Sequence, residues 1–241
     1  PQGLPISALL ANIYMLNFDK TILDKLVNSK NCFYRRYSDD IVIICDKNQI
    51  DFVINTIEEE IKKYDLTIAS DKTETILFKI DNPGKNERLQ CYGYDYKNKK
   101  QLKYNLPFNY LGFEFYGYQT LIKSKNLASF YRDMKDSLRR KSKRTESINK
   151  NSLVKESPLF KRKIYRLYSF KGAKTSKKRK LGTNQFNKIT GEEITRKYRG
   201  NFIRYAYKAS EIMEAPEIKT QVNNHWKILQ KTIAKYNFSN K

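Results

Sequence analysis

Cys32-Phe33-Tyr34-Arg35-Arg36-Tyr37-Ser38-Asp39-Asp40-Ile41-Val42-Ile43-Ile44-Cys45 is the stretch that decides how this chain folds. Its second half is apolar and β-branched, which suits a buried strand. Its first half is aromatic and basic, and the polar Ser-Asp-Asp separates the two runs. The pattern predicts a β-hairpin with the aspartates at its tip. Two like charges side by side between apolar strands are costly without a cation. A tight turn also fixes carboxylates better than a loop does. Hard carboxylate oxygens, few in number, are what Mg²⁺ takes from protein. An ordinary polar turn is the plain alternative, so the neighbouring segments have to decide.

Upstream, Leu9, Leu10, Ile13, Leu16, Ile22, Leu23 and Leu26 recur at helical spacing and predict a helix over 5–27. Downstream, Ile50, Val53, Ile54, Ile57, Ile61 and Tyr64 predict an amphipathic helix with Glu58, Glu59, Glu60, Lys62 and Lys63 on its wet face. Short strands at 66–68 and 75–79 flank Ser70-Asp71-Lys72. Residues 81–105 are polar and read as an exposed insertion. A further hairpin, 108–116 with 119–123, turns at Gly117. Beyond 125 the pattern becomes helical and basic, with helices near 125–146, 158–170, 192–214 and 217–236 and a long Lys/Gly/Thr/Ser-rich loop over 171–191. The expected class is therefore α+β, an antiparallel sheet with packed helices followed by an all-α basic segment. The expected domains are 1–122 and 123–241.

The 241 residues carry 48 Lys+Arg against 25 Asp+Glu, a net charge of +23. Residues 122–210 hold 27 basic and 6 acidic residues, leaving 21 against 19 elsewhere. The excess belongs to one segment, where it is interleaved with tyrosine and phenylalanine, and such a segment meets polyphosphate. No apolar run approaches the roughly 20 residues of a membrane helix. Cys32, Cys45 and Cys91 are well separated and form no Cys-x-x-Cys or Cys/His pattern, so zinc is disfavoured and reduced thiols in the cytoplasm are expected. The single histidine, His225, sits beside Trp226 in a helical stretch and reads as structural, which disfavours histidine acid–base chemistry.

Four segments resemble motifs of reverse transcriptases. Tyr37-Ser38-Asp39-Asp40 resembles the Tyr-x-Asp-Asp box, with Ser38 in place of the commoner Ala. Pro1-Gln2-Gly3-Leu4-Pro5-Ile6-Ser7-Ala8-Leu9-Leu10-Ala11-Asn12-Ile13-Tyr14 is similar to the preceding motif B, as in group II intron and related bacterial enzymes. Leu66-Thr67-Ile68-Ala69-Ser70-Asp71-Lys72-Thr73 resembles motif D. Phe108-Asn109-Tyr110-Leu111-Gly112-Phe113-Glu114-Phe115 resembles motif E, the primer grip. The order is right, and the resemblance covers 1–116. The remainder is similar to a thumb only in being basic and helical.

The resemblance implies a partial polymerase palm followed by a thumb, and RNA-directed DNA synthesis by two-metal nucleotidyl transfer. Asp39 and Asp40 would hold two Mg²⁺ ions, with Mn²⁺ as a substitute, and Lys72 would assist the leaving pyrophosphate. Gln2 and Gly3 would meet template base and incoming dNTP, with Tyr37 near the primer end. Tyr110, Leu111 and Gly112 would grip the primer. Arg139, Arg140, Lys143, Arg144, Lys161, Arg162, Lys163, Lys177, Lys178 and Arg179 would track the nucleic-acid backbone. The metal-binding aspartate of motif A and the fingers would precede Pro1, so this chain alone is expected to be inactive. They would come from the same protein or another chain, and an oligomer is left open. The expected partners are an RNA template or noncoding RNA, the DNA product and dNTPs. The basic loop and Gly200-Asn201-Phe202-Ile203-Arg204-Tyr205 resemble the defence-associated bacterial enzymes. Template-independent or protein-primed synthesis, and a noncatalytic RNA-binding scaffold, are the competing expectations.

Overall fold

A computed structural model describes residues 6–69, 72–81, 84, 87–150, 161–173, 178–180, 195–197 and 200–238. The fold is mixed α/β with antiparallel sheets followed by helices, as the sequence predicts. The chain divides into two compact units, 1–79 with 91–106, and 80–90 with 107–241. This division differs from a cut at 122/123, because the strands after 107 group with the basic helices.

The first unit begins with α1 (Ser7–Tyr14) and α2 (Leu16–Ile22), continued by a π-helical turn, Leu23–Asn28. The helix predicted over 5–27 is thus interrupted at Met15 and wound wider at its end. Strands β1 (Phe33–Tyr37) and β2 (Asp40–Ile44) follow, then α3 (Ile50–Lys62). Phe18, Ile22 and Leu26 are fully buried and pack with Tyr34, Val53 and Ile61, so the hairpin and α3 share one apolar core with α2. The apolar residues of α1 do not join it. Leu9, Leu10 and Ile13 are each more than half exposed. Residues 66–68, predicted as a strand, are exposed and irregular, with no strand partner among the described residues. β3 (Ile76–Asp81), β4 (Arg88–Asp95) and β5 (Lys100–Asn105) form a three-stranded sheet in that order. Residues 81–105 are therefore not simply an exposed insertion: Cys91 is fully buried and Tyr94 nearly so. None of the three cysteines forms a disulfide.

The second unit holds β6 (Phe108–Tyr110), β7 (Phe113–Phe115) and β8 (Thr120–Ile122), an antiparallel meander turning at Leu111-Gly112 and again at Gly117. Helix α4 (Ser124–Lys150) buries Phe130, Met134 and Leu138. It packs against α5 (Arg162–Tyr168) and, further along the chain, α9 (His225–Phe238), after α6 (Phe170–Ala173), α7 (Phe202–Ile212) and α8 (Pro216–Gln221). Gln221 donates to the Ile122 carbonyl at 3.1 Å and accepts from its N–H at 2.8 Å, closing the edge of β8 as a further strand would. His225 is buried. Its Nε2 accepts from the Phe170 N–H at 3.1 Å, which leaves Nδ1 to donate to the Val222 carbonyl at 2.6 Å. Both ring nitrogens are committed, so His225 pins two helices. Between α6 and α7, β9 (Lys178–Lys180) pairs with β10 (Thr195–Lys197), where the sequence predicts a loop and the start of a helix. No helix among the described residues is long and apolar enough to cross a membrane.

Candidate functional site

The register of β1 on β2 runs from Phe33↔Ile44 to Tyr37↔Asp40, so Ser38 and Asp39 alone form the turn. Ser38 sits at φ +59, in the left-handed region, which costs a side chain other than glycine about 1 kcal/mol. The tip is therefore strained, and something must hold it. Alternation along β1 supplies the holder. Phe33, Arg35 and Tyr37 face outward, Tyr37 being 63% exposed. Tyr34 and Arg36 face α2. Arg36 Nε donates to Asp19 Oδ1 at 2.8 Å and its Nη2 to Oδ2 at 2.6 Å, a two-point ion pair with Arg36 only 8% exposed. Its remaining nitrogen, Nη1, donates to the Ser38 carbonyl at 2.8 Å and reaches Asn12 Oδ1 at 3.4 Å. The Tyr34 hydroxyl also donates to Asp19, at 2.5 Å. Burial pushes the Asp19 carboxyl up, but the hydrogen bonds from Arg36 and Tyr34 outweigh it and hold the carboxyl below the usual range. Burial, and then the bond to Asp19, push the Tyr34 phenol well above its ordinary value.

Asp39 and Asp40 are exposed, and their carboxylates make no hydrogen bond or ion pair among the described residues. The cation nearest along the strand, Arg36, is claimed by Asp19. Two adjacent, unclaimed, solvent-facing carboxylates on a braced turn match the donor chemistry of a hard divalent cation that keeps most of its coordination for water and phosphate. No group of three or more acidic, cysteine or histidine side chains converges among the described residues. The described part of the chain thus offers two ligands and no complete cage.

Lys72 lies exposed on a turn in which its N–H donates to the Ala69 carbonyl at 3.0 Å, and its ammonium makes no hydrogen bond or ion pair among the described residues. Gln2, Gly3 and Lys177 lie outside the described residues. In the second unit, Leu111 and Gly112 form a two-residue turn at φ +44 and +86, next to Tyr110 at the end of β6. The Gly112 carbonyl accepts from the Lys123 N–H at 2.9 Å, which ties this turn to the start of α4. Arg139, Arg140, Lys143 and Arg144 are exposed on α4, opposite its buried face. Arg162 and Lys163 are exposed on α5, with Lys161 half-buried before it. Lys178 and Arg179 lie on β9, and the register sets Lys178 across from Lys197 and Arg179 across from Arg196.

Residues 1–115 match the family model of reverse transcriptases (RNA-dependent DNA polymerases). The reverse-transcriptase match ends within β7, so it takes in the aspartate hairpin, Lys72 and the 110–112 turn and leaves the basic helices outside. A comparison with curated proteins gave no match. Within the matched reverse-transcriptase region, reading for motifs passed over Asp19, Tyr34 and Asn12. The available signal was an acid inside an apolar helical run, together with an arginine two positions from an inward tyrosine on a strand of period two.

Proposed function

We propose that this chain contributes the aspartate hairpin, primer-holding turn and nucleic-acid-tracking helices of an enzyme that copies RNA into DNA. The observation that carries the reading is the braced turn of two unclaimed carboxylates, lying inside the segment that matches reverse transcriptases. Asp39 and Asp40 are the residues that would hold Mg²⁺. With divalent ions bound there, the site would supply the positive charge that activates a primer 3′-hydroxyl and steadies the departing pyrophosphate. The outward ring of Tyr37 would lie beside the primer end, and Gln2 and Gly3 would approach the templating base and dNTP. Lys72, exposed on its turn, would neutralise or protonate the leaving group. Tyr110, Leu111 and Gly112 would hold the primer backbone, while the exposed cations of α4 and α5 would follow phosphates without reading sequence.

The test is primer extension on a defined RNA template by the assembled enzyme, this chain together with the motif A segment and fingers. Asp39→Ala and Asp40→Ala are each expected to lower the rate at least about 1,000-fold, through loss of transition-state charge stabilisation, while RNA binding persists. Product sequence separates the readings. A complement of the RNA supports copying, and a simple or random polymer means untemplated or protein-primed synthesis. Unchanged biological activity in both variants means a scaffold. For biological role we propose bacterial antiphage defence, supported by the resemblance of the basic loop and of 200–205. Phage plating on cells that carry the parent gene or its Asp39→Ala variant tests it, and equal plating efficiency on the two rejects it.

A further inference from the structure

We infer that Arg36 is a positioning residue for the metal-holding turn, and that Asp19 is the anchor that makes it one. The inference rests on the reading of Asp39 and Asp40 as metal ligands. Arg36 touches neither carboxylate; it acts through the main chain. One guanidinium edge is locked on Asp19 by two parallel bonds of 2.6 and 2.8 Å. That pairing fixes the plane of the group and so the direction in which Nη1 points. Nη1 points at the Ser38 carbonyl, 2.8 Å away, which belongs to the one residue of the turn at a left-handed φ. The peptide joining Ser38 to Asp39 is thus oriented by a charged donor whose other contacts are on helices α1 and α2. Carboxylates on a free two-residue turn would sample many separations, whereas a divalent ion demands one.

A lysine could not do the same. Its ammonium is a point charge with no fixed plane, and it cannot bind a carboxylate by two parallel bonds while aiming a third donor at a carbonyl. Tyr34 donates at 2.5 Å to the same Asp19 oxygen that accepts from Arg36 Nε, and Asn12 meets Arg36 Nη1 at 3.4 Å, so both members of the pair are restrained. Groups behind metal ligands typically alter metal affinity 10–100-fold.

The test measures Mn²⁺ binding by electron paramagnetic resonance in the assembled enzyme, this chain together with the segment that supplies the motif A aspartate, with thermal unfolding recorded on the same samples. Arg36→Lys is expected to weaken Mn²⁺ binding about 10-fold in protein that remains folded. Glu60→Gln, which loosens the same unit away from the turn, is expected to leave Mn²⁺ binding unchanged. Arg36→Lys that binds Mn²⁺ like the parent overturns the inference, and so does Glu60→Gln that weakens binding as much. Should Arg36→Lys fail to fold, Asp19→Asn is measured instead, because it keeps the shape of the anchor and loses its charge. Weakened binding there supports the inference, and parental binding overturns it. The double variant Asp39→Ala/Asp40→Ala separates the two levels. A parent assembly that takes up no Mn²⁺, or a double variant that keeps it, removes the metal reading itself. Loss in the double variant with no loss in Arg36→Lys removes only the positioning role.

Discussion

Gly112 and Gly117 both occupy the left-handed region, at φ +86 and +92, yet they differ in what surrounds them. A Cβ on Gly112 would come within 2.7 Å of the Asn126 amide nitrogen, a side chain that can rotate away. A Cβ on Gly117 would come within 2.2 Å of the Leu89 carbonyl oxygen, which is backbone and cannot. Gly112→Ala is therefore expected to cost about 1–2 kcal/mol, the left-handed penalty alone. Gly117→Ala should cost at least about 3 kcal/mol, since a backbone clash is added. Urea unfolding midpoints of the two variants check the ranking, and equal midpoints refute it. Of these residue-scale features, the sequence showed Gly117 as a turn and Asp39-Asp40 as a tip. Ser38 and Leu111 at positive φ were illegible, because neither residue type favours that conformation; tertiary bonds impose it. Asp19 and Arg36 each left a signal in the sequence, but their pairing was illegible for another reason. Its partners are 17 residues apart on different elements, and periodicity within one element carries no information about pairing between elements.

Elements with strong periodicity were the legible ones. Helix α3 occupies Ile50–Lys62, close to its predicted span, because its apolar stripe meets a core and its polar face meets water. Glu60 is the exception on that helix. It lies at 3% exposure, bonded to Lys25 at 2.7 Å and to Lys63 at 2.8 Å, and those ammonium groups hold its carboxyl below the usual glutamate range. The charge then stabilises the fold above the unfolded-state pKa, about 4.3, and that contribution is lost as pH falls below it. Glu60→Gln should be less stable than the parent by about 1 kcal/mol at pH 7, with the gap closing on acidification through pH 4. Thermal unfolding against pH measures it, and a gap that persists at acid pH counts against the pair. Helix α4 was legible for the same reason as α3, and Leu138, fully buried within it, should cost about 2–5 kcal/mol when changed to Ala. Elements without a stripe misled. Residues 66–68 are apolar enough for a strand but find no strand partner among the described residues, and β10 stands where a helix was expected because its backbone pairs with β9. The break at Met15 had no signal, since neither glycine nor proline marks it.

At the scale of the whole molecule the charge asymmetry was written in the sequence, and the structure places much of it on exposed helix faces. Arg139, Arg140, Lys143 and Arg144 lie on the exposed side of α4, which buries Met134 and Leu138 on the other, so their removal should leave folding intact. If these four groups each displace a counterion from a nucleic-acid phosphate, the affinity falls linearly with salt on logarithmic axes, by about 0.7–0.9 per contact. Changing all four to Gln should therefore make the slope shallower by about 3, and should weaken binding to unrelated RNA sequences equally, because backbone contacts carry no sequence information. Four exposed lysines of the other unit, Lys30, Lys47, Lys62 and Lys97, serve as the matched control. They lie in the part of the chain where acids nearly balance bases, so their neutralisation changes net charge by the same amount without touching the basic surface. Filter binding across a salt series distinguishes the outcomes. A shallower slope for the α4 variant alone places the phosphates along that helix. Equal changes in both variants mean that total charge, and not a built surface, attracts the nucleic acid.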